Sequence, residues 1–345
     1  MSAKAPLEPC IIDHAWPKGD LEVVDECPFC SGKESSLACD DVQDWAFYAA
    51  PGKWQYWRCQ SCHALYLKSR PNAESIGRAY SSYYTHHDAP LSLLKLLKGR
   101  VKNEHYSYDF KVKLSPRLSL PRYLCWLLRP LKSMVVEPFG LSSLARLPKG
   151  RVLDVGCGNG EMLQFAEQMG WDEMGLELDP AALQSSKQRG LNVLQGGYER
   201  LDDYPSHFDC IIFSHVLEHV HKPLEALTKI KNALKPGGVL LLSCPNAMSK
   251  SGEYFGRYWR GLEAPRHIAI PAAHFLRQHL SAMGFSVEQR ILNSFPTIRE
   301  SMDIQRKALP TSHKQIDSLM KIRNTLGSPS PDQVDFIEFI CIKNG

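Results

Sequence analysis

The chain has 345 residues, of which 43% are hydrophobic, so it is long enough for one large core and a second small module. Its 41 basic and 37 acidic residues give a net charge of +4, which is too balanced to indicate a nucleic-acid-binding surface. We expect a cytoplasmic protein, because the N-terminal residues lack the apolar core of a signal peptide, no apolar run reaches the length of a membrane span, and 11 cysteines without such a signal favour a reduced compartment.

Two Cys-x-x-Cys pairs lie in the N-terminal part of the sequence. Cys27 and Cys30 form the first pair, Cys59 and Cys62 form the second, and 28 residues (31–58) separate them. Two such turns can present four thiolates tetrahedrally to zinc, so we predict a structural zinc-ribbon module over residues 1–70. Buried cysteine couples or a redox pair are the alternative interpretation.

Residues 71–149 are expected to form a helical linker or lid. The aromatic run at residues 80–87 would either line a substrate or pack between two modules. Two leucine-rich stretches that also contain Lys and Arg, residues 91–98 and 124–132, have the composition of interfacial helices. Peripheral contact with the inner face of a membrane and ordinary packing both explain these leucines.

A strand, a glycine-rich turn and a helix are predicted in RVLDVGCGNGEM, residues 151–162. The apolar run at 152–155 is typical of a buried parallel strand, and Gly156, Gly158 and Gly160 precede the helix. Glycine lets the backbone approach a ligand, and a helix N-terminus offers free N–H groups. The spacing differs from the dinucleotide fingerprint, and Asp154 at the strand end favours a ligand with an amine and a carboxylate.

Downstream, predicted strands alternate with helices, which indicates a doubly wound α/β sheet. The strands are predicted at residues 172–178, 191–196, 207–213, 239–243, 285–292 and 336–342. The helices are predicted at residues 223–234 and 274–283, with inserted helices at 299–325. Glu177 ends the second strand, where an acidic side chain can accept two ribose hydroxyls, whereas Asp179-Pro180 suits the start of a helix.

Over residues 150–345 this pattern resembles the class I S-adenosylmethionine (SAM)-dependent methyltransferases. The resemblance implies a Rossmann-like, seven-stranded sheet with an antiparallel last strand, and SAM as the cofactor. Members often carry an aspartate after the third strand for the adenine amine, but Gly197 stands there in this chain. The implied SAM contacts are Asp154, Gly156, Gly158, Gly160, Glu177, Leu178, Tyr198 and Ser214.

The residues after the fourth predicted strand are the candidates for the chemistry. Methyl transfer needs an acceptor that is held in line and loses a proton. His215, Glu218 and His219 lie where the ligand crevice of such a sheet is expected, and on a helical turn they would share a face. A Glu–His pair there suits general-base catalysis. A buried histidine that caps the turn is the alternative interpretation of His219.

Three short stretches are HVLEHV, CPN and the tryptophan-rich stretch that ends in PRH, with His267. Together they resemble methyltransferases of bacterial polysaccharide and O-antigen gene clusters. Many of those enzymes also carry a four-cysteine ribbon. C-methyltransferases of nucleotide-linked ketosugars use a tyrosine and a Glu–His pair. Glu218 and His219 match the pair, but Val216 stands in the place of the tyrosine. The resemblance therefore implies O-methylation of a sugar hydroxyl in a glycan or a nucleotide- or lipid-linked sugar, with C-methylation as the alternative.

A further resemblance concerns a second, divalent metal. Small-RNA 2′-O-methyltransferases and ubiquinone-pathway O-methyltransferases bind a metal through a Glu-x-x-Glu-His run at this place. His215 here replaces the first glutamate and His267 would be a fourth ligand, a set that favours zinc, manganese or iron over magnesium. The acceptor is then a small aromatic or quinone precursor. RNA is disfavoured because no basic aromatic stripe accompanies the ribbon. A non-catalytic SAM-binding scaffold is the remaining class.

Overall fold

A computed structural model describes residues 15–80, 93–112, 114–120, 124, 139–291, 295–309 and 317–345. The leucine-rich stretch at 124–132 and the aromatic run at 80–87 lie outside the described residues, apart from Leu124 and Tyr80. None of the helices in the described ranges combines the length and the hydropathy that a membrane crossing requires.

The described strands and helices have the following bounds. The strands are β1 (Leu21–Val23), β2 (Ser35–Val42), β3 (Trp54–Cys59), β4 (Leu65–Leu67), β5 (Ser69–Pro71), β6 (Arg151–Val155), β7 (Asp172–Glu177), β8 (Val193–Gln195), β9 (Phe208–Ser214), β10 (Leu234–Pro245), β11 (Ala269–Ile270), β12 (Phe285–Gln289) and β13 (Phe336–Lys343). The helices are α1 (Leu93–Phe110), α2 (Leu141–Arg146), α3 (Glu161–Gln168), α4 (Pro180–Gln188), α5 (Pro223–Ala233), α6 (Lys250–Phe255), α7 (Ala273–Ala282), α8 (Phe295–Ala308) and α9 (Leu319–Leu326).

A seven-stranded sheet has the order β12-β13-β10-β9-β6-β7-β8. The strand β6 runs parallel to both of its neighbours, β7 and β9, and β7 runs parallel to β8. Four of the five residues of β6 are buried, as expected for an apolar strand inside a parallel sheet. The predicted mostly parallel α/β sheet is confirmed. β10 begins at Leu234, five residues before the predicted start.

The helix α4 begins as the sequence predicts. The Asp179 side chain accepts a hydrogen bond from the main-chain N–H of Ala181 at 2.9 Å, and Pro180 occupies the first helical position. This bond satisfies one of the unpaired N–H groups of the first turn. Asp179 is therefore a helix cap, and Glu177 is the acidic residue at the end of β7.

A small antiparallel sheet combines N-terminal strands with one strand from much later in the chain. Its order is β11-β4-β3-β2. Ala269 and Ile270 of β11 pair with Tyr66 and Leu65 of β4. The N-terminal sheet is thus completed by β11, which begins two residues after His267 of the PRH stretch. A separate two-stranded sheet pairs β1 with β5.

The chain divides into two compact units, each built from separate segments. The first comprises Met1–Tyr83, His215–Thr228 and Leu242–Cys341, and the second comprises Tyr84–Ser214, Lys229–Leu241 and Ile342–Gly345. The core of the first unit is rich in aromatic residues, among them Trp16, Trp54, Tyr56, Phe255 and Trp259. A core cluster of the second unit contains Cys157, Leu163, Leu183, Leu191 and Val193. The division at residues 70 and 149 stays a prediction.

The turn after β9 differs from the expected helical turn. Only Leu217–His219 is helical, as a 3-10 turn, and His215 has a φ of +56°. The main-chain N–H of His215 donates to the Ser243 carbonyl at 2.8 Å, so strand-like pairing continues one residue beyond β9. This pairing prevents a helix from beginning at His215. The expectation that His215, Glu218 and His219 share one helical face is wrong in this respect.

Candidate active site

Four cysteine sulfurs converge in the first unit. The Sγ atoms of Cys27 and Cys62 are 3.5 Å apart, and those of Cys30 and Cys59 are 3.4 Å apart. All four sulfurs lie within 4.8 Å of one another. A tetrahedral site with Zn–S bonds of about 2.3 Å separates its sulfurs by about 3.8 Å. The four donors and their spacing therefore fit a zinc ion.

The two Cys-x-x-Cys turns have the same backbone geometry. The residue after each second cysteine, Ser31 or His63, has a positive φ of 56° or 61°. Its N–H donates to the carbonyl of the first cysteine, Cys27 at 2.9 Å or Cys59 at 3.1 Å. One tight turn is thus used twice, and each copy directs its two thiols toward the same centre.

The glycine loop after β6 adopts a conformation that favours glycine. Gly156, Gly158 and Gly160 have φ values of +72°, +55° and +77°. A Cβ atom added at Gly160 would lie 2.4 Å from Cδ1 of Leu191 and 3.1 Å from Oγ of Ser186, so a larger residue would clash with these side chains. Glycine at these three positions therefore avoids the backbone strain that a side chain would cause there.

Two buried carboxyl groups lie beside this loop. Asp154 and Glu177 are 5% and 8% exposed, and burial, together with the nearby Glu177 carboxylate, raises the pKa of Asp154 to about 8. Oε2 of Glu177 accepts from the N–H of Gly158 at 2.7 Å, and its Oε1 accepts from the N–H groups of Leu178 and Asp179 at 2.8 and 2.9 Å. The two acids supply acceptor oxygens at this end of β6 and β7, and an ammonium group beside Asp154 would favour its ionised form.

The other three predicted SAM contacts lie at strand ends and at the start of a 3-10 helix. Leu178 is 67% exposed, and a Cβ atom added at Gly197 would lie 3.6 Å from its Cδ1. Tyr198 begins a 3-10 helix and Ser214 ends β9, and both are half-buried. Gly197 stands where members of the family often carry an aspartate, and the exposed side chain of Leu178 beside it is an apolar surface that suits an adenine ring.

Glu218 is a fully buried acid, and neither of its carboxylate oxygens has a hydrogen-bond partner among the described residues. Nδ1 of His215 lies 3.4 Å from Oε1 of Glu218 without hydrogen-bond geometry, and Nε2 of His267 lies 3.8 Å from the same oxygen. Burial opposes the charged form, but the neighbouring histidines outweigh burial and lower the pKa of Glu218. An ionised, buried carboxylate without hydrogen-bond partners is stabilised only if a cation, such as a metal ion or a protonated histidine, lies next to it.

In both His219 and His267, Nδ1 lies within hydrogen-bond distance of a main-chain carbonyl oxygen. Nδ1 of His219 lies 2.9 Å from the Arg266 carbonyl oxygen, and Nδ1 of His267 lies 2.7 Å from that of Gly261. Because a carbonyl oxygen only accepts, Nδ1 donates in both rings, and the neutral tautomer leaves a lone pair on Nε2. One nitrogen of each ring and one oxygen of Glu218 lie within 4.8 Å of one another. Burial lowers the pKa of His267 to about 4, so this ring is neutral at pH 7.

Three charged residues around this cluster were not among the predicted site residues: Asp44, Glu263 and Arg266. Oε2 of Glu263 lies 3.8 Å from Nε2 of His267, and Oε1 of Glu263 accepts from Nε of Arg266 at 2.9 Å. Arg266 is completely buried and binds Asp44 through two hydrogen bonds of 2.6 and 2.9 Å. Glu263 and Arg266 belong to the stretch that ends in PRH, whereas Asp44 lies 222 positions away from its partner. Spacing gives no signal for such a pair.

Asn246 of the CPN stretch has a structural role. Its amide nitrogen donates to the carbonyls of Asp332 and Val334 at 2.9 and 2.8 Å. Its amide oxygen accepts from the N–H groups of Met248 and Ala273 at 3.1 and 3.2 Å. Because the side chain is fully buried and its hydrogen-bonding groups are used, Asn246 holds the loop after β10 rather than a ligand.

Comparison with known proteins identifies the class of the central domain. Residues 136–290 match the family model described as a methyltransferase domain. The chain therefore carries a class I SAM-dependent methyltransferase domain, which includes the glycine loop, Asp154, Glu177 and the Glu218 turn.

The ubiquinone biosynthesis O-methyltransferase of Xanthomonas campestris is 35% identical over 108 residues, which cover 29% of this chain and 45% of that protein. The enzyme of the same name from Alkalilimnicola ehrlichii is 29% identical over 127 residues, which cover 34% of this chain and 51% of that protein. The chain thus spans about half the length of the curated relatives it matches. A solved SAM-dependent methyltransferase from Archaeoglobus fulgidus superposes with a TM-score of 0.42 at 20% identity, and covers 69% of this chain and 98% of that chain.

Proposed function

We propose that this protein transfers the methyl group of SAM to a hydroxyl oxygen of a small-molecule acceptor. The observation that carries the proposal is the cluster of Glu218, His219 and His267, which offers two imidazole lone pairs beside a buried carboxylate. Glu218 and His219 follow β9, and β9 is the parallel neighbour of β6, the strand before the glycine loop. Ligands of open α/β sheets bind beyond the carboxyl ends of the strands.

In this proposal Asp154 binds the methionine ammonium of SAM, and the N–H groups of the glycine loop bind its carboxylate. An ionised carboxylate has about four acceptor positions, and Glu177 uses three of them for backbone N–H groups. One ribose hydroxyl therefore takes the remaining position, and the second shares an oxygen. Leu178 contacts the adenine, and Tyr198 and Ser214 complete the proposed cofactor set.

His219 is the proposed general base. Its Nδ1–H is engaged by the Arg266 carbonyl, so its Nε2 lone pair takes the proton of the acceptor hydroxyl. The oxygen forms a bond to the methyl carbon as the carbon–sulfur bond of SAM breaks, and S-adenosylhomocysteine leaves as a neutral thioether. Glu218 stabilises the imidazolium that results, and His215 stays close to Glu218 as a supporting residue.

A second candidate chemistry uses a divalent metal held by Glu218, His219 and His267. The unpartnered oxygens of Glu218 favour it, because a cation would satisfy them and the two imidazole lone pairs together. Such an ion would lower the pKa of an acceptor hydroxyl bound to it. Mixed imidazole and carboxylate donors suit zinc, manganese or iron better than magnesium. His215 lies outside this three-residue group.

Metal analysis separates the two chemistries. We also propose that the four cysteines hold a structural zinc ion, so wild-type protein carries one zinc from the ribbon in either case. A second equivalent of metal per chain that is present in the wild type and absent from Glu218→Gln supports the metal chemistry. A single equivalent in both proteins, with activity that is unaffected by added divalent ions, supports His219 as a base. Chelators are less informative here because removal of the ribbon zinc can unfold that module.

For the acceptor we propose a sugar hydroxyl, supported by the resemblance of the HVLEHV, CPN and PRH stretches to polysaccharide-cluster methyltransferases. C-methylation of a ketosugar is the alternative within that class. The names of the relatives favour an aromatic or quinone precursor. However, their alignments cover only 29% and 34% of this chain. Leu96 and Leu97 of α1 are 43% and 51% exposed and support peripheral contact with a membrane that carries a lipid-linked acceptor.

The test compares cells that contain the wild-type protein with cells that contain His219→Gln. Mass spectrometry of extracted glycans, sugar nucleotides and quinones is expected to show a methyl-sized difference in one sugar pool. A difference confined to the quinone pool would replace the sugar by the aromatic acceptor. No difference in any pool would favour a SAM-binding scaffold instead of an enzyme.

A further inference from the structure

Arg266 connects the N-terminal sheet region to the histidine cluster. Its guanidinium is fully buried and forms two hydrogen bonds to Asp44, of 2.6 and 2.9 Å, as well as one to the Ala79 carbonyl at 3.0 Å. It also lies 4.9 Å from the ring centroid of Phe47. Asp44 is itself 1% exposed, and its carboxylate accepts hydrogen bonds from the main-chain N–H groups of Phe47, Ala49 and Ala50. Asp44, the acidic partner of Arg266, is thus fixed in turn by its own loop.

The two groups that contact Nδ1 of His219 both depend on this arginine. One is the main-chain carbonyl of Arg266 itself, at 2.9 Å. The other is the hydroxyl oxygen of Tyr80, also at 2.9 Å, which can only accept from Nδ1–H because the same nitrogen donates to the Arg266 carbonyl. The Tyr80 ring packs edge-on against the imidazole, with centroids 6.1 Å apart. Tyr80 directly follows Ala79, whose carbonyl binds the Arg266 guanidinium. The side chain of Arg266 therefore anchors both contacts at once.

The same segment is fixed from the strand side. The Tyr56 hydroxyl, on β3 and fully buried, lies 2.6 Å from the carbonyl oxygens of both Leu262 and His267. The residues after His267 form β11 and pair with β4. The backbone that carries the Arg266 carbonyl is thus held at both ends by strands that lead into or out of the second cysteine pair.

We propose that Asp44, Tyr80 and Arg266 are positioning residues that make His219 present Nε2 without a hydrogen. This inference rests on the proposed function, but it holds for either chemistry, because a general base and a metal ligand both use that lone pair. It gives the N-terminal segment a catalytic purpose, because Asp44 holds the Arg266 side chain and Tyr80 adds a second acceptor for Nδ1–H of His219.

The first test uses Tyr80→Phe, which removes one hydroxyl and keeps the ring. Tyr66→Phe is the matched control, since Tyr66 is a buried tyrosine of β4 whose hydroxyl has no hydrogen-bond partner among the described residues. Proteins labelled with ¹⁵N only in histidine report the tautomer of His219 by long-range ¹H–¹⁵N NMR, with His219→Gln to assign its signals. We expect the His219 nitrogen signals to move in Tyr80→Phe and to stay in Tyr66→Phe. We expect kcat to fall severalfold in Tyr80→Phe, with the SAM Kd within twofold of wild type.

The second test uses Asp44→Asn. Asp41→Asn is the control, because Asp41 is a nearby acid that pairs with Lys53 and Arg257 at the surface and also accepts from Nε2 of Gln43 at 3.4 Å. We expect both tautomers of His219 in Asp44→Asn, a fall in kcat of tenfold or more and little change in SAM Kd. If Asp44→Asn does not fold, Tyr80→Phe decides alone. Unchanged His219 signals and wild-type kcat in a folded Tyr80→Phe protein would overturn the inference. A different outcome is that the His219 signals change in Tyr80→Phe but neither wild type nor any variant transfers a methyl group. That outcome would refute the proposed function and would still support the positioning of the His219 ring.

Discussion

The raised pKa of Asp154 leads to a prediction about SAM binding. With a folded-state pKa of about 8, only about one Asp154 in ten is ionised at pH 7 in the ligand-free protein, and about one in a hundred at pH 6. If the methionine ammonium binds the ionised carboxylate, SAM binding must release this proton. SAM affinity should then rise about tenfold per pH unit between pH 5.5 and 7, a range in which the amine itself stays protonated.

The same group affects stability with the opposite sign. The pKa of Asp154 is about 8 in the folded protein and 3.8 ordinarily. At pH values between the two, the folded protein therefore keeps a proton that the unfolded chain has released. The ligand-free protein should therefore lose stability as pH rises from about 4 towards 8. Each pH unit corresponds to at most about 1.4 kcal/mol of unfolding free energy, so between pH 5 and 7 the wild type should lose about 2.6 kcal/mol relative to Asp154→Asn.

Calorimetry of SAM binding in two buffers with different ionisation enthalpies counts the released protons directly. At pH 6.5 we expect about one proton per SAM for the wild type and none for Asp154→Asn, whose affinity should be weak and flat with pH. Asp172→Asn, an exposed acid at the start of β7, should behave like the wild type. A wild-type affinity that does not change from pH 5.5 to 7, without proton release, would refute the role of Asp154.

Three further predictions concern the other groups. Glu177→Ala should weaken SAM binding by about 2 kcal/mol, measured by calorimetry, because a charge-assisted hydrogen bond to ribose is lost, and an unchanged Kd would exclude that role. Cys27→Ser should lose the zinc of the ribbon in metal analysis, and a folded wild type without zinc would contradict the assignment. Glu218→Gln should lower methyl-transfer turnover by about 10²-fold or more while SAM affinity stays within twofold, and wild-type turnover would remove Glu218 from the site.

The strands and the glycine loop were predictable because their signals are local. The apolar run of β6 is bounded by glycines, and the Asp179-Pro180 cap marks the start of α4, so each element is encoded within a few neighbouring residues. The four cysteines are predictable for a related reason: two copies of one short spacing imply one shared centre, although 28 residues (31–58) separate them.

The surroundings of His219 were not predictable, because they depend on contacts between distant parts of the chain. Arg266 pairs with Asp44 across 222 positions, and Tyr80 reaches His219 across 139. Neither contact leaves a periodic or spaced pattern in the sequence. His215 illustrates a related failure: its position in the turn is set by a hydrogen bond to Ser243, a partner on another strand, and this bond overrides the local preference for a helical turn.

The most direct test of the central claim is a methyl-transfer assay with SAM that carries a CD3 group. Wild-type protein and His219→Gln are incubated with nucleotide sugars, lipid-linked sugars and catechols, and products are read by mass spectrometry and NMR. We predict one acceptor that gains the labelled methyl on oxygen, with turnover about 10²–10⁴-fold lower in His219→Gln at equal SAM affinity. Tight SAM binding without transfer to any acceptor, or equal transfer by both proteins, would contradict the account.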